Sequence, residues 1–163
     1  MRYDGEIKHY PELLTYIQQH FSTLSVCPEV EMGLSVPRPP LQLTGSLSNI
    51  EMTGRDDPAL NVTQAMQHFC RQRPPQLNAI AGYIFKSRSP SCGPQNIPLF
   101  DTQGLEVAST RGLFVSAMLQ HYPGLPITDE LQLTSAESRE HFLQQVKHYR
   151  QHHHPHTRDF LTP

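Results

Sequence analysis

The sequence lacks tryptophan and has only three cysteines in 163 residues, Cys27, Cys70 and Cys92. An odd cysteine count with no secretory pattern at the N-terminus argues against a disulfide framework and for a reducing, cytoplasmic setting. In such a setting a cysteine packs, attacks or ligates metal. An excess of one charge is missing too: 13 basic residues face 15 acidic ones, for a net charge of −2. That balance does not supply the basic field on which non-specific nucleic-acid binding rests. No apolar run reaches the roughly 20 residues of a membrane-spanning helix. These absences disfavour a large polyanion held non-specifically and leave the oligomeric state open.

What is abundant is proline, at 15 residues, and histidine, at 10. Proline at this level implies much ordered loop, and ordered loops often carry sites. A hydrophobic content of 37% argues against a disordered chain. The length suits one domain able to bury its own core without a disulfide or metal.

Hydrophobic period divides the chain into alternating helices and short strands. Residues 10 to 22 read as a helix, with Pro11 in its first turn and Leu13, Leu14, Ile17 and Phe21 on one face. Leu24-Ser25-Val26 is a short strand-like run. Residues 28 to 46 show no helical period and read as an ordered loop, stiffened by Pro37-Arg38-Pro39-Pro40. A second helix is expected over 61 to 71, ended by Pro74-Pro75. Residues 79 to 85 form the best strand candidate, apolar enough to be covered on both faces. A helix over 110 to 121, a short strand over 125 to 128 and a helix over 135 to 149 complete the order. This alternation predicts an α/β fold of three layers, a mostly parallel sheet with helices on both faces. A doubly wound unit opens on a buried strand, whereas this chain opens on loop-like Met1-Arg2-Tyr3-Asp4-Gly5, so the first strand is expected to be missing. The organisation reads as an α/β domain over 1 to 133, followed by a C-terminal helix and His-rich tail over 134 to 163.

Cys27 and Cys92 share a context. Each follows an expected strand and lies in a proline-containing loop, and loops at the carboxyl ends of parallel strands build the ligand crevice. Thiols converging there with Glu29, Glu31, Ser89 and Ser91 make a soft-metal or iron–sulfur site. Cys70, on the apolar side of its helix, reads as packing. His148, His152, His153, His154 and His156 lack thiol or carboxylate spacing and read as a solvated tail. Arg38, Lys86, Arg88 and Arg111 lie in or near the crevice loops. They suit either a planar or anionic ligand or the satisfaction of loop carbonyls.

These motifs together resemble a known family. The run Cys27-Pro28-Glu29, Gly33-Leu34 and Pro37-Arg38-Pro39-Pro40 resembles the first signature of the bacterial thiouracil desulfidase family, once known only as a domain of unknown function. Ser89-Pro90-Ser91-Cys92-Gly93 resembles its second signature, preceded by a strand and Lys86. Arg2-Tyr3-Asp4-Gly5 resembles its N-terminal element, and Asn61-Val62-Thr63 after Gly54-Arg55-Asp56 its G-x-D-V-T segment with a short insertion. The resemblance runs from residue 1 to about 133 and implies removal of sulfur from a thiolated pyrimidine, giving uracil and sulfide. It implies a 4Fe–4S cluster held by three cysteines, of which Cys27 and Cys92 match two. The third belongs to a Ser-x-Cys-Leu-x-Gly element upstream of the Arg-Tyr-Asp-Gly match, and this chain lacks it. Within this reading Glu29 is the general base or acid, Ser89 and Ser91 bind substrate or water, and Arg38 and Lys86 orient the pyrimidine. Three alternatives stand beside it: a truncated, catalytically inactive family member, a zinc site using Cys27, Cys92 and a histidine, and a thiol nucleophile at Cys92.

Overall fold

A computed structural model describes residues 10 to 153. The Arg2-Tyr3-Asp4-Gly5 element and the tail from His154 onward lie outside the described residues. In chain order the elements are α1 (Pro11–His20), α2 (Pro28–Glu31), β1 (Leu41–Ser46), β2 (Asn49–Gly54), α3 (Thr63–Gln76), β3 (Tyr83–Phe85), β4 (Ile97–Phe100), β5 (Glu106–Thr110), α4 (Leu113–His121), β6 (Ile127–Asp129) and α5 (Ala136–His153). No helix among the described residues is long and apolar enough to cross a membrane.

The α/β class is as expected, but the strand directions are mixed. One sheet has the order β2-β1-β4-β5 and a second pairs β3 with β6. β1–β4 and β3–β6 are parallel, whereas β1–β2 and β4–β5 are antiparallel. The antiparallel half comes from two hairpins: β1 lies within the stretch expected to be ordered loop, and β2, β4 and β5 lie where no element is expected. In β1 only Leu41 and Leu43 alternate, and Gly45 interrupts the run, so the period-two signal is too short to stand out. Leu43 nevertheless pairs with Met52 across the hairpin, and both are fully buried.

The short strand β3 shows why the parallel pair is central. Side chains alternate between the faces of a strand. Phe85 and Tyr83 pack into the main core with Leu43, Met52, Met66, Leu99, Phe114 and Met118, from the sheet and α3 and α4. Ile84 packs the opposite way, against Leu13, Leu133, Phe142 and Val146 from the α1 and α5 side. The pair is thus covered by helices on both faces. α5 sits so close that a Cβ on Gly82 would meet Val146 Cγ2 at 2.6 Å.

Helix ends follow local chemistry. Asn61 Oδ1 accepts the Thr63 N–H at 3.0 Å as α3 begins. α3 runs past the expected stop, through Pro74 and Pro75 to Gln76. The Pro74 carbonyl there accepts from both the Leu77 N–H and the Tyr122 hydroxyl, which closes the last turn. Residues 24 to 26 form no strand. Cys27 therefore lies at the N-cap of α2 rather than beyond a strand, which corrects the expected context of that residue.

Candidate active site

Two loops build the site. The first runs from Cys27 through the single turn of α2 to Arg38. Just past the C-cap of α2, Met32, stands Gly33, whose φ of +108° is a left-handed conformation that glycine adopts readily. The Cys27 backbone N–H donates to Glu31 Oε1 at 3.2 Å, and Glu31 Oε2 accepts from Arg73 Nε on α3 at 2.8 Å. A carboxylate bolted to α3 thus fixes the start of the cysteine turn.

The second loop follows β3 and carries Ser89, Ser91 and Cys92. Its carbonyls meet the start of α4: Leu113 N–H donates to Pro90 O, Phe114 N–H to Ser91 O and Gly112 N–H to Gly93 O. Gly112 permits this approach, since a Cβ there would stand 2.5 Å from the Ser91 carbonyl. At the other end of the loop Glu130 accepts from Ser87 N–H at 2.8 Å and from the Ser87 hydroxyl at 2.6 Å, and pairs with Lys86 Nζ. Burial alone would raise the Glu130 carboxyl. The bonds from Lys86 and Ser87 outweigh it and hold the group below the ordinary glutamate range.

The two loops meet at Glu29. This carboxylate is buried, and Oε2 accepts from Arg38 Nε at 2.6 Å while Oε1 accepts from the Ser91 hydroxyl at 2.7 Å. Ser89 lies 2.9 Å from Ser91 and 3.5 Å from Glu29 Oε1, and its oxygen accepts the Cys92 N–H at 3.2 Å. Arg38 Nη2 lies 4.0 Å from Cys27 Sγ. Cys27, Glu29, Arg38, Ser89, Ser91 and Cys92 are therefore joined in one network. Lys86 is tied instead to Glu130 and Ser87, and no hydrogen bond joins it to Glu29 or Arg38.

The electrostatics agree with the geometry. Burial is the main cause that pushes the Cys92 thiol up to about 12; the Ser91 bond lowers it, and Glu29, Cys27 and Cys70 raise it further. At neutral pH such a Cys92 is a thiol, which does not suit the nucleophile reading. Burial also pushes Cys70 up to about 12, against the influence of Arg71. Tyr83, raised by burial and by the charges of Cys92, Glu31 and Cys27, stands among the same groups, yet the sequence marked it only as a strand residue. Glu31 and Arg73 were likewise legible as charged residues and not as a clamp.

Among the described residues, Arg38 Nη1 is the one buried side-chain nitrogen or oxygen without a hydrogen-bond partner. An orphaned cationic donor is costly, and it points to an acceptor that arrives from outside the chain. Cys27 lies beside this guanidinium and Cys92 in the adjoining loop, two soft sulfur donors where the family resemblance implies three. No set of three or more His, Cys, Asp or Glu side chains among the described residues is arranged to hold a metal ion.

The model of the 2-thiouracil desulfurase family matches residues 1–130. The chain belongs to this family. Among solved structures this desulfurase-family chain is similar to the 4Fe–4S-dependent thiouracil desulfidase TudS, at 26% identity and a TM-score of 0.54, over 81% of this chain and 83% of that one. No curated protein matches it. The joined network of Cys27, Glu29, Arg38, Ser91 and Cys92 is thus the candidate active site of a desulfurase-family fold.

Proposed function

We propose that the chain removes the sulfur of thiouracil by hydrolysis, with Cys27 and Cys92 as thiolate ligands of an iron–sulfur group. One observation carries this reading: the loops of two cysteines distant in sequence close on a single buried carboxylate, Glu29, the first through Arg38 beside Cys27 and the second through Ser91 and Ser89 beside Cys92. Membership of the 2-thiouracil desulfurase family and the likeness to 4Fe–4S-dependent TudS support it. When bound, such a group supplies an open iron, a soft Lewis acid suited to a thiocarbonyl sulfur.

The overall change balances without electrons. Thiouracil and water give uracil and hydrogen sulfide, a C=O bond replacing the C=S bond. Glu29 takes a proton from the attacking water and returns one to the departing sulfur. It suits this because Arg38 and Ser91 fix both of its oxygens. Ser91 and Ser89 orient the water or the base through their hydroxyls. Arg38 Nη1 donates to an oxygen of the pyrimidine, satisfying the orphaned donor. Lys86, whose charge is taken up by Glu130 and Ser87, anchors the loop that carries Ser89 and Ser91.

Anaerobic reconstitution with iron and sulfide tests the reading. The protein should gain a broad visible charge-transfer absorption and release sulfide from thiouracil. Glu29→Gln should keep the absorption and lose roughly 10²–10⁴-fold in sulfide release. Absence of iron uptake by the unaltered protein would end the iron–sulfur assignment, and undiminished turnover by Glu29→Gln would remove Glu29 from the chemistry.

A further inference from the structure

The sequence leaves Arg111 between an anionic ligand and the satisfaction of loop carbonyls. The structure gives its exposed side chain no hydrogen bond or ion pair among the described residues. Arg111 stands in an open cleft of about 430 Å³, lined by Gln95, Asn96, Ser109, Thr110, Arg111 and Ser116. The β4–β5 register builds this cleft: Ile97 pairs with Thr110, so the residues just before β4 lie beside those just after β5. Its volume falls within the ~300–1,000 Å³ usual for ligand sites. The lining holds one guanidinium, two amides and three hydroxyls, and no carboxylate. The start of α4 does not supply free donors here. Its Leu113 and Phe114 N–H groups already donate to Pro90 and Ser91, and the Gly112 N–H to Gly93. Recognition must therefore come from the side chains of the cleft.

We propose that this cleft is a phosphate-binding site. The planar Arg111 fork takes two phosphate oxygens in parallel, which a single ammonium cannot do. The hydroxyls of Ser109, Thr110 and Ser116 and the Gln95 amide donate to the remaining oxygens. Ser116 spends only a long 3.3 Å bond on the Gly112 carbonyl, so its hydroxyl is free to turn. A carboxylate ligand, with two oxygens, would leave part of this donor set unused. The cleft is larger than one phosphate and leaves room for the group to which a phosphate monoester is joined. Two sources share this chemistry: inorganic phosphate and the phosphate of a pyrimidine nucleotide. The cleft adjoins the loop that carries Ser91 and Cys92, because the Gly112 N–H beside Arg111 donates to the Gly93 carbonyl at 2.8 Å. The site needs no metal and does not depend on the desulfidase reading above.

Isothermal titration calorimetry of the whole metal-free chain tests the proposal. The probes are inorganic phosphate, uridine monophosphate and uridine, at low ionic strength because salt screens exposed charges. Both phosphate-bearing probes should bind. Arg111→Gln should weaken both by roughly ten-fold, through loss of a charged hydrogen bond. Arg111→Lys should fall between, because it keeps the charge without the fork. Arg71→Gln removes an exposed cation outside the cleft and should leave binding unchanged. Uridine monophosphate binding more tightly than phosphate supports the site and identifies a nucleotide as its ligand. Equal affinities support the site and identify free phosphate. The proposal is overturned if neither phosphate probe binds, if uridine binds as tightly as its monophosphate, or if Arg111→Gln binds like the unaltered chain. An equal loss in Arg71→Gln overturns it too, by showing that net charge alone governs the binding.

Discussion

Cys92 and Glu130 are both nearly enclosed, and enclosure penalises the charged form of each. In Cys92 the penalty prevails and the thiol is pushed up to about 12; in Glu130 the donors from Lys86 and Ser87 prevail and the carboxyl is held low. Each has a measurable consequence. In metal-free protein near neutral pH, iodoacetamide should label half-buried Cys27 well before buried Cys92, as followed by mass spectrometry. Prompt labelling of Cys92 would contradict its enclosure. Because the folded value of Glu130 lies below the unfolded one, its contribution to stability is complete above the ordinary glutamate range. That contribution disappears as pH falls through the lower, folded value. Glu130→Gln should cost about 2 kcal/mol near neutral pH and flatten the acid side of the urea-midpoint profile. The Lys86 side chain is 38% exposed, so the screened ion pair is expected to contribute less of this than the enclosed Ser87 bonds.

At the scale of elements, the site depends on where α4 begins. Its first N–H groups are spent on the carbonyls of Pro90 and Ser91, and Gly112 allows the contact. Gly112→Ala should cost about 1–3 kcal/mol through overpacking against backbone. It should also lower the iron content after reconstitution, because the displaced backbone carries Cys92. Chemical denaturation and iron analysis check the two effects separately. α5 makes a different contribution. Phe142 and Val146 cover the outer face of β3, and Phe142→Ala should cost about 3–5 kcal/mol by the urea midpoint.

At the scale of the whole molecule, the two apolar clusters share β3. Tyr83 and Phe85 lie in one and Ile84 in the other, while Tyr149 of α5 joins the main core. Neither layer can open without uncovering the central strand. Urea unfolding followed by far-ultraviolet circular dichroism and by tyrosine fluorescence should therefore give one coincident transition. Two separated transitions would show that the α1 and α5 layer folds independently.

The long helices and the strand at β3 were legible because each has a strong, local apolar period: Leu13 and Ile17 in α1, Phe114 and Met118 in α4, Phe142 and Val146 in α5. The β1–β2 hairpin was not, since Leu43 becomes a core residue only when it meets Met52 and Leu99 across strands. The sequence alone determined which residues carry sulfur, carboxylate and guanidinium in proline-stiffened loops, because residue type and local conformational restriction are properties of the chain itself. The tertiary structure decided that Glu29 is gripped by Arg38 and Ser91, that Cys27 begins a helical turn, and that Lys86 turns to Glu130. Those outcomes depend on burial and on partners distant along the chain, which exist only once the loops have closed on each other.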